Sequence, residues 1–226
     1  MKNIICSVAL MLVSLAAFSQ KVRLNAYGAY VFDDKFDTYY SSNVYLNGKI
    51  KGGFQWGAGL EYEVRPDYGV ELIYFRQDTQ APIYLSSSSS RDQTIELGLN
   101  YIMLGGVRYL STVGDGKIEP YGGLMLGMVI YENKEPQGTQ ESSATKFSWG
   151  ARLGTNIWFS DSKTIGLKLQ AYLLSGVQGA GGGLYVGTGG AGAGVSTYST
   201  LYQFGLGGGL VFKLGAKNAE SATTTQ

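Results

Sequence analysis

Histidine is absent from all 226 residues. Its absence removes the Ser/His and Cys/His nucleophile pairs and the commonest metal ligand. Only a paired-carboxylate mechanism would remain, so the expectation is no enzymatic activity, no cofactor and no metal. Cysteine is nearly absent too. The single one, Cys6, lies in the N-terminal apolar run, which leaves the mature chain without a disulfide framework and its stability in need of another source. An excess of one charge is also missing. With Lys2 set aside, 17 Lys and Arg face 17 Asp and Glu, so the basic stripe of a nucleic-acid binder is excluded. Finally, no mature segment approaches the roughly 20 apolar residues of a membrane-spanning helix.

The first residues have the layout of an export signal: Lys2 as a positive start, Ile4 to Val13 as an apolar stretch, and small residues in Ala17-Phe18-Ser19. Cleavage is expected between Ser19 and Gln20. The organisation that follows is a signal peptide at 1–19, one domain at 20–214, and a short polar periplasmic tail at 215–226, expected to be disordered.

What the chain has in abundance is alternation. Phe54, Trp56, Ala58, Leu60, Tyr62 and Val64 form an apolar face. Gln55, Gly57, Gly59, Glu61, Glu63 and Arg65 form the opposite one. A period of two marks a half-buried strand, and carboxylates facing away from large aromatics suit lipid on one side and a polar lumen on the other. Similar segments recur at about 21–32, 53–65, 70–77, 94–110, 118–131, 147–159, 165–174 and 199–214. Short turns join them at Pro66 to Gly69, Ser111 to Lys117 and Ser160 to Thr164, and long polar loops at 33–52, 78–93, 132–146 and 175–198. These features predict an all-β fold, an eight-stranded antiparallel transmembrane up-and-down β-barrel. An even strand number puts both ends on the periplasmic side, with the long loops outside. The 34 glycines and 17 tyrosines suit a crowded, tightly curved interior and the two membrane interfaces.

Gly52-Gly53-Phe54-Gln55-Trp56-Gly57-Ala58-Gly59-Leu60-Glu61-Tyr62, Tyr68-Gly69-Val70-Glu71-Leu72, Glu119-Pro120-Tyr121-Gly122-Gly123-Leu124 and the run from Gln203 to Phe212 resemble the small bacterial outer-membrane β-barrel domain family. That family includes the porin-like barrels of Bacteroidetes and is distantly similar to the OmpA and OmpX barrels. The resemblance covers nearly the whole mature chain and implies the fold, the bacterial outer membrane as location, outer-membrane lipid as surroundings, and the barrel assembly machinery as a partner in biogenesis. The last strand, ending at Phe212, resembles the signal that this machinery reads.

By parity along the strands, Arg23, Glu61, Glu71, Arg108, Arg152 and Lys168 should point into the lumen. An eight-stranded interior is only just wide enough for its own side chains, and buried charges there must pair. The expectation is an ion-pair network that fills the lumen. The barrel would then be a structural or interaction protein displaying four long loops, with loops 33–52, 78–93, 132–146 and 175–198 as contact sites for an envelope partner. The alternative is a narrow pore or small-molecule transporter. Lesser features carry less. Gly187 to Gly192 matches a phosphate-loop pattern without the strand before it or the helix after it. Asp33, Asp34 and Asp37 lack a recognised calcium-loop spacing. Tyr30, Phe32, Trp56, Tyr101, Trp149 and Phe212 read as lipid-facing or interfacial aromatics.

Overall fold

In the computed structural model, residues 21–41, 44–85, 93–133, 143–177, 183–187, 190–194 and 201–214 are described. The export signal, its cleavage site, the Ser86 to Ser90 run and the polar tail lie outside them. Twelve strands follow one another: β1 (Val22–Val31), β2 (Asp34–Ser41), β3 (Val44–Ile50), β4 (Gly53–Arg65), β5 (Tyr68–Leu85), β6 (Gln93–Tyr109), β7 (Ile118–Asn133), β8 (Ser143–Trp158), β9 (Ile165–Val177), β10 (Gly183–Gly187), β11 (Gly190–Gly194) and β12 (Leu201–Lys213).

Eight of them close an antiparallel ring in the order β1-β4-β5-β6-β7-β8-β9-β12. The ring is sealed by β1 against β12, in register from Arg23 opposite Lys213 to Val31 opposite Gly205. Closure satisfies every strand edge within the wall, which is what lipid requires. The tight turns fall where the sequence places them. At the β6–β7 turn, Gly114, Asp115 and Gly116 all take left-handed backbone conformations (φ 61°, 55° and 79°). Two glycines make that run of three tolerable.

The long connections are more ordered than their polar composition suggested. Segment 33–52 contains the hairpin β2–β3, and segment 175–198 contains the glycine-rich hairpin β10–β11. Strand β5 runs on to Leu85, well past the start of β4 at Gly53. There β3 takes over as its neighbour, with Leu46 opposite Leu85 and Gly48 opposite Ile83. An extended strand needs partners for its backbone groups, and β3 supplies them above the rim.

The outward face is an apolar belt. Leu24, Phe54, Leu60, Leu72, Leu104, Leu124, Leu126, Leu153, Leu169 and Leu206 all stand exposed. One strand is turned over relative to the sequence reading. On β6 it is Leu97, Leu99, Tyr101, Met103, Val107 and Tyr109 that face inward and are buried, and Ile102 and Leu104 that face lipid. Arg108 is therefore exposed on the outer wall, its guanidinium 5.3 Å from the Tyr68 ring opposite it. Tyr101, expected at an interface, is fully enclosed. The cause lies in the lumen, which is not uniformly polar: its upper part is packed with hydrophobic and aromatic side chains, so the more apolar face of β6 belongs inside.

The belt yields a direct test. Leu104 lies between Leu72 and Leu126 on neighbouring strands. Leu104→Arg should cost about 2–4 kcal/mol in lipid, and Arg108→Leu, near the rim at the short turns, less than about 1 kcal/mol. Reversible denaturant unfolding in phospholipid vesicles reads both.

Candidate functional site

Five of the six charges expected inside the barrel are there. Arg23, Glu61, Glu71, Arg152 and Lys168 are all at most 2% exposed, and they occupy the lower lumen. Arg108 is not among them.

Arg23 is the hub of one group. Its guanidinium reaches Glu119 Oε2 at 2.9 Å, Glu63 Oε2 at 3.3 Å and Glu61 Oε1 at 3.7 Å, and it lies 4.2 Å from the centre of the Tyr109 ring. Asn156 donates to the same Glu119 oxygen at 2.9 Å, Lys213 Nζ to Glu63 at 2.8 Å, and the Tyr109 hydroxyl to Glu61 at 2.6 Å. Glu71 is the hub of the second. It is paired with Arg152 at 2.6 Å and accepts from Asn25 at 2.7 Å and from the Tyr27 hydroxyl at 2.5 Å. Asn25 also reaches Glu61 at 3.4 Å and so joins the groups. Lys168 Nζ sits 4.5 Å from the Tyr121 ring centre and 5.9 Å from that of Tyr27, stabilised by the negative faces of the two rings.

The tally is four cations (Arg23, Arg152, Lys168, Lys213) and four carboxylates (Glu61, Glu63, Glu71, Glu119). Taking a lone charge out of water is far costlier than burying a neutral polar group, and this balance is what makes the lower lumen tolerable. Glu63, on the lumen face beside Glu61, and Glu119, inward by parity beside Tyr121, join the network although neither is among the six charges expected in it. Tyr27 and Tyr121 lie on the inward faces that parity gives them, whereas Tyr101, expected at an interface, is buried in the lumen.

Glycines make the space. A Cβ on Gly59 would overlap Glu71 Oε1, and one on Gly69 would come within 2.7 Å of Glu61 Oε1. Each carboxylate thus lies against the bare backbone of a neighbouring strand. Above this tier, Phe75 stacks on Tyr172 at 5.5 Å and meets Tyr27 in a tilted contact at 5.4 Å. Tyr172 donates to Gln55 at 2.6 Å, Tyr101 to Gln203 at 2.6 Å, and Gln203 to Gln77 at 2.9 Å. The interior is therefore a charged tier below an aromatic and amide tier.

Other sequence features have structural roles. Asp33 accepts from the Gly52 amide at 2.6 Å and Asp34 from the Tyr202 amide at 2.7 Å, which ties the rim together. The side chain of Asp37 lies outside the described residues. Gly187 and Gly190 close the β10–β11 hairpin.

A closed eight-stranded antiparallel barrel with an apolar outer belt and a side-chain-filled lumen is the fold of the small outer-membrane β-barrels. No protein-family model and no curated protein matches the chain. Among solved structures it is similar to neisserial surface protein A, at 14% identity and a TM-score of 0.56 over 85% of this chain and 97% of that one. It is also similar to the outer membrane protein OprG from Pseudomonas aeruginosa, at 14% identity and a TM-score of 0.54 over 86% and 96%. At that identity the likeness is one of fold.

The Glu71–Arg152 pair sets a measurable coupling. Glu71→Gln or Arg152→Met alone should cost about 3–5 kcal/mol by stranding a buried charge. The double variant should lose about 1–3 kcal/mol less than the sum of the singles. Denaturant unfolding of all four proteins closes the cycle.

Proposed function

We propose that the protein is a closed barrel of the bacterial outer membrane that acts as a structural or interaction platform and displays its long loops outside the cell. The observation that carries this reading is the filled lumen. Three buried cations, their carboxylates and the aromatics above them occupy the lumen among the described residues, which supports a barrel that does not conduct. Loops on a rigid scaffold are the usual seat of recognition, and segments 33–52, 78–93, 132–146 and 175–198 are where an envelope partner would bind. The exposed belt supports outer-membrane lipid as the surroundings, and the last strand supports delivery by the barrel assembly machinery after removal of residues 1–19.

The test is single-channel recording of the refolded mature protein in a planar bilayer, with insertion verified by heat-dependent gel mobility. The expected result is an inserted but silent barrel. Reproducible conductance steps would overturn the closed-platform reading in favour of a narrow pore. Intact mass of the protein recovered from outer membranes should correspond to a chain beginning at Gln20.

A further inference from the structure

The outer wall changes character along a straight line on three adjacent strands. On β5 the outward residues Val70, Leu72 and Tyr74 give way to Arg76 and Asp78. On β6, Leu104 and Ile102 give way to Asn100 and Gly98, and on β7, Met128 and Ile130 give way to Glu132. The register sets Arg76 opposite Asn100, and Gly98 between Asp78 and Glu132. Trp56, level with Arg76, packs edge to face on Tyr74 at 5.7 Å, as aromatics do at a membrane interface.

The polar groups at the line are tightly organised. Arg76 pairs with Asp78 at 3.0 Å and with Glu132 at 3.2 Å, and it donates to Asn100 Oδ1 at 2.8 Å, as does the Tyr74 hydroxyl. The Arg76–Glu132 bridge crosses Gly98, where a Cβ would come within 3.3 Å of both partners. Asn100 is only 6% exposed, and its Nδ2 has no partner; such a buried donor favours any group that accepts from it.

Immediately beyond this line lies a cleft of about 390 Å³ lined by Lys51, Gly52, Asp78, Thr79, Gln80 and Glu96, a volume within the range of small-molecule sites. Asp78, Gln80 and Glu96 continue the outward rows of β5 and β6, so the cleft opens on the outer wall and not into the lumen. Its floor is fixed. The Lys51 amide donates to the Gln80 carbonyl at 3.0 Å, Thr79 Oγ1 to the Lys51 carbonyl at 2.5 Å, and Lys51 Nζ to Gln80 Oε1 at 3.2 Å.

We propose that this cleft binds the sugar headgroup of an outer-leaflet glycolipid, an inference that rests on the outer-membrane reading. Carboxylates accept from hydroxyls, and amides both donate and accept, so Asp78, Gln80 and Glu96 form a surface suited to a polyol. Two carboxylates, Asp78 and Glu96, against one cation, Lys51, line the cleft, so it suits sugar hydroxyls better than a bare phosphate. The exposed Leu72, Leu104 and Leu126 directly below offer the apolar wall against which acyl chains of the same molecule would lie.

The test uses the full mature protein refolded in neutral detergent. Binding of purified lipopolysaccharide is measured with chelator present, beside phospholipid micelles and the free core oligosaccharide. The variant is Gln80→Ala with Glu96→Ala, and Arg108→Leu is the control. Lipopolysaccharide should bind the wild type and the control about tenfold more tightly than the double variant, and about tenfold more tightly than phospholipid binds. Equal binding to the double variant, equal binding of phospholipid, loss of binding on chelation, or oligosaccharide binding as tight as that of the whole glycolipid would each overturn the proposal. A protein without heat-dependent gel mobility would overturn the outer-membrane reading along with it; an inserted barrel that lacks the preference overturns this inference alone.

Discussion

An eight-stranded ring encloses little more volume than the side chains projecting into it, and the arrangement of this molecule follows from that limit. A lumen so narrow leaves little room for water to solvate a charge, so the ionised groups inside meet a counterpart directly or, as at Lys168, lie against aromatic faces. The ring also has no room for a side chain at every inward position. Glycine at positions 59 and 69 is therefore as much a part of the ion pairs as Glu71 and Glu61, because each carboxylate occupies the place of a missing Cβ. The outer belt, by contrast, needs only to be apolar.

This division explains what was legible in the sequence. Strand number, turn positions and the facing of seven of the eight wall strands follow from alternation alone, since lipid imposes a strict rule on one face. The face of β6 was not legible, because both of its faces are rich in large apolar residues and the rule assumed a polar interior. Arg108 then went to the wrong side, and Tyr101 with it. Glu63 and Glu119 were readable by the same parity that found Glu61. What parity cannot supply is distance: that Arg23 on β1 reaches Glu119 on β7 depends on ring closure, which no local pattern encodes. The hairpin β2–β3 was hidden for a related reason. Its strand β3 pairs with the edge of β5 above the rim, a partner that no local pattern names.

The inner and outer walls solve one electrostatic problem in two ways. Inside, charges are balanced among themselves and shielded by tyrosine rings. Outside, the mixed cluster around Arg76 is confined to one sector and held above the apolar belt, with Asn100 and Gly98 giving it a compact footing. The apolar belt consequently has an uneven upper margin, lower across β5–β7 than across β4, where Phe54 and Trp56 stand exposed.

The seam between the first and last strands couples ring closure to the interior charges. Arg23 and Lys213 face each other across that seam and converge on the single carboxylate of Glu63. Until the two ends of the wall meet, Glu63 lacks one of its two cations. Closing the β1–β12 seam therefore completes the electrostatic neutrality of the core as well as the hydrogen-bond ladder. Assembly of the barrel and neutralisation of its interior become one cooperative event, and a chain that stops short of β12 is left with an open edge and an unbalanced charge together.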